Sequence, residues 1–452
     1  MPRTFTIFGA GLAGALMAVY LARRGHRVEL FERRPDPRRG TPERGRSINL
    51  ALSTRGIAAL EEIGLADEVL RSAIPMRGRM IHPRSGPLAF QAYSKGAELA
   101  INSVSRSGLN SLLLSAAERE PGVRVHFSRR CLGMDFDTGK AEVLDVESGR
   151  TETIDTETVI GADGAFSGVR SSMQKRDRFD YSQDYLEHGY KELTIPAAPG
   201  ATHRIDRNAL HIWPRGTFMM IALPNQDGSF TCTLFWPYKG PHSFDTMPSG
   251  DAALEFFRRE FPDAVPLIPN LKDDWEHNPA ASLVTVRCAP WNVAGCAVLL
   301  GDAAHAVVPF YGQGMNASFE DCRSLARHID ASPDDLRSAY ERYAHERKPN
   351  TDALAQLALD NFIEMRDKAG SPAFRRKKMV EHALEALFPR WYTSLYFMVT
   401  FSHTPYAEAK ARAERQDRAV RRWTLGLLAA LGLLLILAAV ILIAHFVTRK
   451  FW

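Results

Sequence analysis

Glycines at positions 9, 11 and 14, set between an apolar β-branched run and an apolar helical one, constrain this chain more than any other feature. Thr4 to Phe8 reads as a buried parallel strand. Gly9 permits the tight turn that follows, Gly11 lets the backbone approach a ligand, and Gly14 lets the next helix pack close on the strand. That helix runs from Leu12 to Arg24 and is stopped by Gly25. Arg27 to Phe31 is a second strand, ending at Glu32, where this motif places an acid for a ribose hydroxyl pair. The helix N-terminus and its dipole favour a phosphate between strand and helix. A glycine turn that merely packed a helix on a sheet would have no use for Glu32.

Two later segments extend this reading. Thr158 to Arg170 is a strand running into an Asp163-Gly164 turn and then a helix, and such strand ends face the cofactor crevice. Ala297 to Gly301 is a further buried strand that delivers Asp302 to the same crevice, where a carboxylate can accept from ribityl hydroxyls. A helix N-cap is the alternative role for Asp302, and His305 reads as structural rather than catalytic. Pro309 to Asn316 then opens a helix, and its free N–H groups around Gly314, Met315 and Asn316 suit a flavin ring edge that becomes anionic on reduction. A dinucleotide turn combined with this late Gly301-Asp302 segment reads as a flavoprotein.

Between Phe179 and Val286 the pattern changes to short strand-like runs, His211 to Pro214, Phe218 to Leu223 and Phe230 to Phe235, broken by Pro, Asn and Gly. The expected fold class is α/β, α+β overall. A Rossmann-like FAD-binding domain is drawn from residues 1–72, 105–178 and 285–335, and an antiparallel-sheet substrate domain from 73–104 and 179–284. Residues 336–420 form a helical C-terminal region, either a cover for the pocket or a tether, and 424–447 a transmembrane helix. With 452 residues the chain is long enough for two domains plus appendages.

The tail is read from its composition. Leu425 to Val447 is nearly all Leu, Ala, Ile and Val, long enough to cross a bilayer at about 1.5 Å per residue. Arg418, Arg421 and Arg422 precede it, Arg449 and Lys450 follow, and Trp423 and Trp452 are placed as interfacial anchors. The heavier basic flank puts the catalytic bulk on the cytoplasmic side, and the N-terminus opens on a strand rather than a signal peptide. The net charge of +5 is spread along the chain, so no nucleic-acid footprint is read. The five cysteines, Cys131, Cys232, Cys288, Cys296 and Cys322, form no CxxC pair, which argues against a disulfide framework or a zinc site.

Longer segments carry a resemblance: Arg44 to Gly56, Phe179 to Gln183, His188 to Pro196, Leu210 to Arg215, and Asn361 to Arg366. In these the chain resembles the class A flavin-dependent aromatic hydroxylases, and within them the kynurenine 3-monooxygenase family, over almost its whole length. The resemblance implies that Arg79 and Tyr93 hold the carboxylate end of L-kynurenine, with Asn361 and Tyr396 as further contacts. Arginine offers a fixed two-pronged donor and tyrosine adds a third. Arg77 is the surface residue of the pair.

For FAD, the resemblance implies Ala13, Glu32, Arg33, Ala51, Arg106, Cys131, Asp302, Met315 and Asn316, beside Gly9, Gly11, Gly14, Asp163 and Gly314 from the motifs. It further implies that NADPH docks transiently, since no second glycine motif follows. O2 then forms a flavin C4a-hydroperoxide that hydroxylates L-kynurenine to 3-hydroxy-L-kynurenine, a step of tryptophan degradation. No side chain is nominated as catalytic and no metal is expected. Pro309, Phe310, Ile221, Leu223 and Phe235 are expected as apolar walls that exclude water. A related hydroxylase acting on another acidic aromatic would carry the same flavin motifs. The membrane would be the inner one in a bacterium and, by resemblance, the outer mitochondrial one in a eukaryote.

Overall fold

A computed structural model describes residues 2–40, 49–93, 99–368, 379–381, 383–385 and 387–450. Residues 44–48 and the expected anchor Trp452 lie outside these.

The strand-turn-helix-strand reading matches the folded chain at its start. Thr4–Phe8 and Arg27–Phe31 are strands joined by the helix Leu12–Ala22. The helix is two residues shorter than expected. Gly25, at φ 82°, takes the left-handed conformation that lets His26 N–H reach back to the Leu21 carbonyl and close the last turn. Six strands form the first sheet, in the order Asn292–Val293, Ala297–Leu299, Thr158–Gly161, Thr4–Phe8, Arg27–Phe31 and Val123–His126. All its pairs are parallel except the edge hairpin of Asn292–Val293 with Ala297–Leu299. The strands Thr158–Gly161 and Ala297–Leu299 therefore end side by side with Thr4–Phe8, which gathers Asp163, Asp302 and the glycine turn at one sheet edge. Parallel strands covered by helices bury both faces, and Phe5, Ile7, Val28, Leu30, Val159 and Val298 are all fully buried.

A second, seven-stranded sheet runs in the order Ala281–Ala289, Asp180–Ile195, Phe230–Pro237, Met219–Pro224, Ala209–Pro214, Gly78–Ile81 and Ala89–Ala92. It is not wholly antiparallel as expected. Ala209–Pro214 pairs in parallel with Gly78–Ile81, because the segment carrying Arg79 enters from the nucleotide side of the molecule rather than by a hairpin. Strand alternation sorts the side chains of this sheet. Trp213, Met220, Ala222, Cys232, Leu234 and Trp236 pack on one face under the helix Gly250–Glu260. Leu210, Ile212, Met219, Ile221, Leu223 and Phe235 occupy the other face. Arg79 lies in register with Leu210 on the neighbouring strand, so its side chain shares that second face.

Two smaller three-stranded sheets complete the β-structure, one of which joins Asn49–Leu52, Ile101–Ser105 and Ile74–Met76. The C-terminal region contains the helices Leu336–Ile363 and Leu395–Thr400. A 45-residue helix, Tyr406–Lys450, then runs unbroken, so the apolar tail is its second half rather than a separate element. Its first turns are tied to the body: Tyr406 donates to Gln313, Ala407 N–H to Asn350, and Gln416 to the Trp391 carbonyl. Its most apolar 18-residue stretch has a mean hydropathy of 3.1, and none of it is buried. This helix is long and apolar enough to cross a membrane.

Candidate functional site

The glycine turn is built for close approach. A methyl on Gly9 would meet the Ala162 carbonyl oxygen at 2.3 Å, and one on Gly14 the Gly9 carbonyl oxygen at 1.8 Å. These two glycines hold turn, helix and neighbouring strand together. Gly11 differs: a methyl there would meet nothing within 4 Å, so its missing side chain leaves open space in front of the turn. That space fits a pyrophosphate at a helix N-terminus. Ala13, in the first turn of the helix, is half-buried.

Glu32 joins the turn to the second strand end. One carboxylate oxygen accepts from Ala10 N–H at 3.0 Å and the other from Arg34 N–H at 3.0 Å. Each oxygen keeps a further lone pair for a ribose hydroxyl. Arg33 and Arg106 are exposed, the latter opening the helix Arg106–Arg119. Asp302 is exposed in the first turn of Asp302–His305, with Gly301 at φ 60° as the cap, so its carboxylate is not spent on capping. Asp163 Oδ2 accepts from Gly168 N–H at 2.7 Å, while its Oδ1 is buried without a partner among the described residues. Burial raises its pKa, which makes it a ready hydrogen-bond donor when protonated. His305 is structural as expected, bonded to buried Asp321.

Two residues expected at the cofactor, Cys131 and Asn316, are buried and engaged within the protein. Cys131 is buried in the nucleotide core, and burial pushes its thiol pKa far up, so the side chain stays a neutral packing group. Asn316 is fully buried. Its amide donates to Ala51 O at 2.8 Å and Gly312 O at 3.0 Å, and its Oδ1 accepts from Ser53 N–H at 2.9 Å. Asn316 therefore pins the strand carrying Ala51 against the loop before Gly314. Gly56 backs this joint, since a methyl there would lie 2.5 Å from Asn316 Oδ1. Met315 is buried beside it and Gly314 is half-buried.

The second group of residues assembles around Arg79. The guanidinium carbon lies 4.6 Å from the Tyr396 ring centroid and 5.9 Å from that of Tyr93. The Tyr93 and Tyr396 rings stack at 5.4 Å, and Tyr311, which sequence reasoning missed, stacks on Tyr396 at 5.8 Å. Only proximity in the fold reveals Tyr311, because Tyr396, on which it stacks, lies in a distant segment of the chain. Arg79 Nε and the Tyr93 hydroxyl are buried with no hydrogen-bond partner among the described residues. Each such orphan costs about 1–3 kcal/mol unless a ligand supplies the partner. Burial keeps the Tyr93 and Tyr311 pKa values well above the usual phenol range, so both hydroxyls remain donors at neutral pH. Arg77 is exposed, as expected.

Asn361 is buried nearby but committed: its amide donates to the Phe310 carbonyl at 2.7 Å. It holds Phe310 in place, and the Phe310 ring stacks on Phe362 at 4.0 Å and meets Phe235 at 4.8 Å. Ile221 and Leu223 pack with Tyr93, Tyr396 and Ala51, so the polar clamp and the nucleotide-side strand share one apolar wall. Pro309 is exposed at the start of the 3-10 turn Pro309–Tyr311. Among the described residues no His, Cys, Asp and Glu group could hold a metal ion.

Comparison with known proteins agrees with this geometry. A protein-family model described as an FAD binding domain matches residues 4–358. The chain is 49% identical over 426 residues to a kynurenine 3-monooxygenase of Myxococcus xanthus, covering 94% of this chain and 91% of that protein. It is 48% identical to one from Dictyostelium discoideum, covering 90% of each. Among solved structures, a 2-methyl-3-hydroxypyridine-5-carboxylic acid oxygenase superposes with a TM-score of 0.66 at 20% identity, over 87% of this chain and 99% of that one. A probable FAD-dependent monooxygenase from Pseudomonas aeruginosa gives 0.65 at 21% identity, over 83% and 100%. These two share the fold, the mixed α/β fold of class A flavin hydroxylases. With nearly half its residues identical to the curated relatives over about nine-tenths of their length, the chain belongs to the kynurenine 3-monooxygenase family.

Proposed function

We propose that this chain is an FAD-dependent monooxygenase that hydroxylates L-kynurenine to 3-hydroxy-L-kynurenine, with NADPH and O2 as co-substrates. One observation carries the substrate end of this reading: Arg79 Nε and the Tyr93 hydroxyl are buried without partners among the described residues, on an otherwise apolar sheet face. A carboxylate is the acceptor that satisfies both.

Gly9, Gly11, Ala13 and Gly14 would receive the pyrophosphate, with Glu32 on the ribose and Asp302 on the ribityl chain. Arg33, Arg106, Asp163, the main chain of Cys131, and the Ala51 and Gly314–Met315 segments would complete the cradle. Asn316 serves it by holding Ala51 and Gly312 in register. The bound flavin supplies the redox chemistry, accepting reducing equivalents from NADPH and activating oxygen. The protein's part is placement. Arg79, Tyr93 and Tyr396 fix the amino-acid end of the substrate, so the aromatic ring lies against Ile221, Leu223, Phe235 and Phe310. Asn361 fixes Phe310. These apolar side chains exclude water, which favours oxygen transfer over loss of peroxide. The neutral phenols of Tyr93 and Tyr311 orient the substrate without adding a buried charge.

The exposed apolar half of Tyr406–Lys450 serves in this reading as a bilayer-spanning anchor. Arg418, Arg421 and Arg422 sit on the side of the catalytic body, and basic flanks of this kind favour the cytoplasmic side of a membrane. A related substrate, another acidic aromatic, would use the same donors. Purified protein should be yellow and consume NADPH and O2 in equal amounts with L-kynurenine, yielding a product 16 mass units heavier. Coupled turnover with a different aromatic acid and none with L-kynurenine would replace the substrate assignment.

A further inference from the structure

Arg55 is fully buried, yet it lies outside the flavin and substrate groups described above. It sits in the first turn of the helix Thr54–Glu62, directly after the Ala51–Ser53 segment that Asn316 pins. Its guanidinium reaches across to the C-terminal chain. Nε faces the Val399 carbonyl at 3.4 Å, one terminal nitrogen donates to the Thr404 carbonyl, and the plane lies 4.1 Å from the Tyr406 ring centroid. The other terminal nitrogen pairs with Glu320 at 2.6 Å.

The charges around it are balanced. Glu320 uses its second oxygen on Arg347 at 2.6 Å, and Arg347 also pairs with buried Asp321 at 2.7 Å. Two guanidiniums thus face two carboxylates in the interior. Lysine would be a poor substitute for Arg55, because an ammonium offers neither the planar fork nor the stacking face that these acceptors and this ring engage.

The held segment is the one that completes the substrate clamp. Val399 lies on Leu395–Thr400, the short helix that carries Tyr396. Phe401 lies between the two captured carbonyls and packs against Tyr93 at 5.9 Å and Tyr396 at 6.2 Å. We propose that Arg55 is a positioning residue for substrate: it locks the Val399–Thr404 turn to the cofactor-side strand so that Tyr396 and Phe401 stay seated over Arg79 and Tyr93. The long C-terminal helix begins at Tyr406, so the same guanidinium couples the position of that helix to the affinity for substrate. This inference rests on the reading of Arg79 as the carboxylate clamp.

The test uses the full-length holoenzyme and three variants: Arg55→Lys, Tyr396→Phe and the double variant. In Arg55→Lys the KM for L-kynurenine should rise roughly tenfold, with kcat falling far less and FAD content unchanged. Amide hydrogen exchange should quicken in residues 396–404 and stay unchanged around Gly9 to Gly14. In the Tyr396→Phe background the same Arg55→Lys change should add little to KM, because the two residues act through one contact. An unchanged KM, a full tenfold effect that persists without the Tyr396 hydroxyl, or unaltered exchange in 396–404 each overturns the proposal. Arg79→Ala is the control for the underlying reading. If that variant keeps a normal KM, the clamp assignment has failed; if it loses affinity while Arg55→Lys does not, only the role of Arg55 has failed.

Discussion

The two ends of the site are built on opposite plans. At the nucleotide end, Asp163 Oδ1 apart, the polar groups are largely satisfied before any ligand arrives: Glu32 already accepts from Ala10 and Arg34, and Asn316 makes three bonds within the protein. At the substrate end, Arg79 and Tyr93 hold buried polar atoms with no partner among the described residues. A satisfied cradle can be read as a rigid shape that a nucleotide enters. An unsatisfied clamp stores an unfavourable term, and under the proposed function a substrate carboxylate would relieve it, converting desolvation into specificity. The first plan tolerates loss of a ligand contact, whereas the second depends on one acceptor.

The largest expected effect separates shape from contact within the nucleotide end. Gly14→Val places side-chain atoms on the Gly9 carbonyl and should abolish folded holoprotein, seen as loss of soluble, flavin-coloured material. Gly11→Ala meets no atom and should leave the ligand-free unfolding midpoint within about 0.5 kcal/mol of wild type while weakening FAD binding. Equal damage from both changes would break the distinction.

At the other end, Arg79→Ala should lower kcat/KM for L-kynurenine by about 10²–10³-fold, as expected for removing one partner of a buried charge pair, with FAD retained. Because it also removes an orphan polar atom, Arg79→Met should leave the ligand-free protein as stable as wild type or more so. A clear loss of stability in Arg79→Met would show that the guanidinium is already well paired without substrate.

A third test concerns the floor beneath the clamp, where polar groups are satisfied. Burial, with His82 beside it, pushes the His211 pKa down to about 4; Nε2 faces the Asp206 carbonyl, and His82 in turn bonds Asp263. A depressed histidine is favoured neutral, so its contribution is complete above its unfolded value of about 6.5 and is lost as pH falls toward 4. The loss amounts to up to about 3 kcal/mol over that window. Urea unfolding between pH 7 and 4.5 should show this slope, and His211→Gln should flatten it. The smallest effect is expected from ending the chain after Arg418, which keeps the Gln416–Trp391 contact. The protein should then leave the membrane fraction with kcat unaltered, and persistent sedimentation with membranes would refute the anchor.

Legibility in the sequence followed the locality of each interaction. Thr4–Phe8 and Arg27–Phe31 were readable to the residue, because each is a short run rich in β-branched, aliphatic and aromatic residues beside a glycine, Gly9 after the first and Gly25 before the second. The run of the tail was equally plain, but not its continuity with the turns from Tyr406 onward, whose packing on Gln313 and Asn350 joins residues over fifty positions apart. Asn316 and Asn361 were legible as residues, but their hydrogen bonds within the protein were not. Their neighbours Ala51 and Phe310 come from distant segments, so whether an amide faces ligand or protein is not encoded nearby. Tyr311 and Arg55 were missed for the same reason.

What the amino-acid order determined by itself was the nucleotide end and the apolar tail, since a turn needing Gly at fixed spacing and a helix without charge are short-range facts. What only the tertiary structure decided was which donors are left empty. Whether Arg79 Nε finds a partner depends on the register of Gly78–Ile81 with Ala209–Pro214 and on a helix three hundred residues downstream, and burial turns that absence into a site.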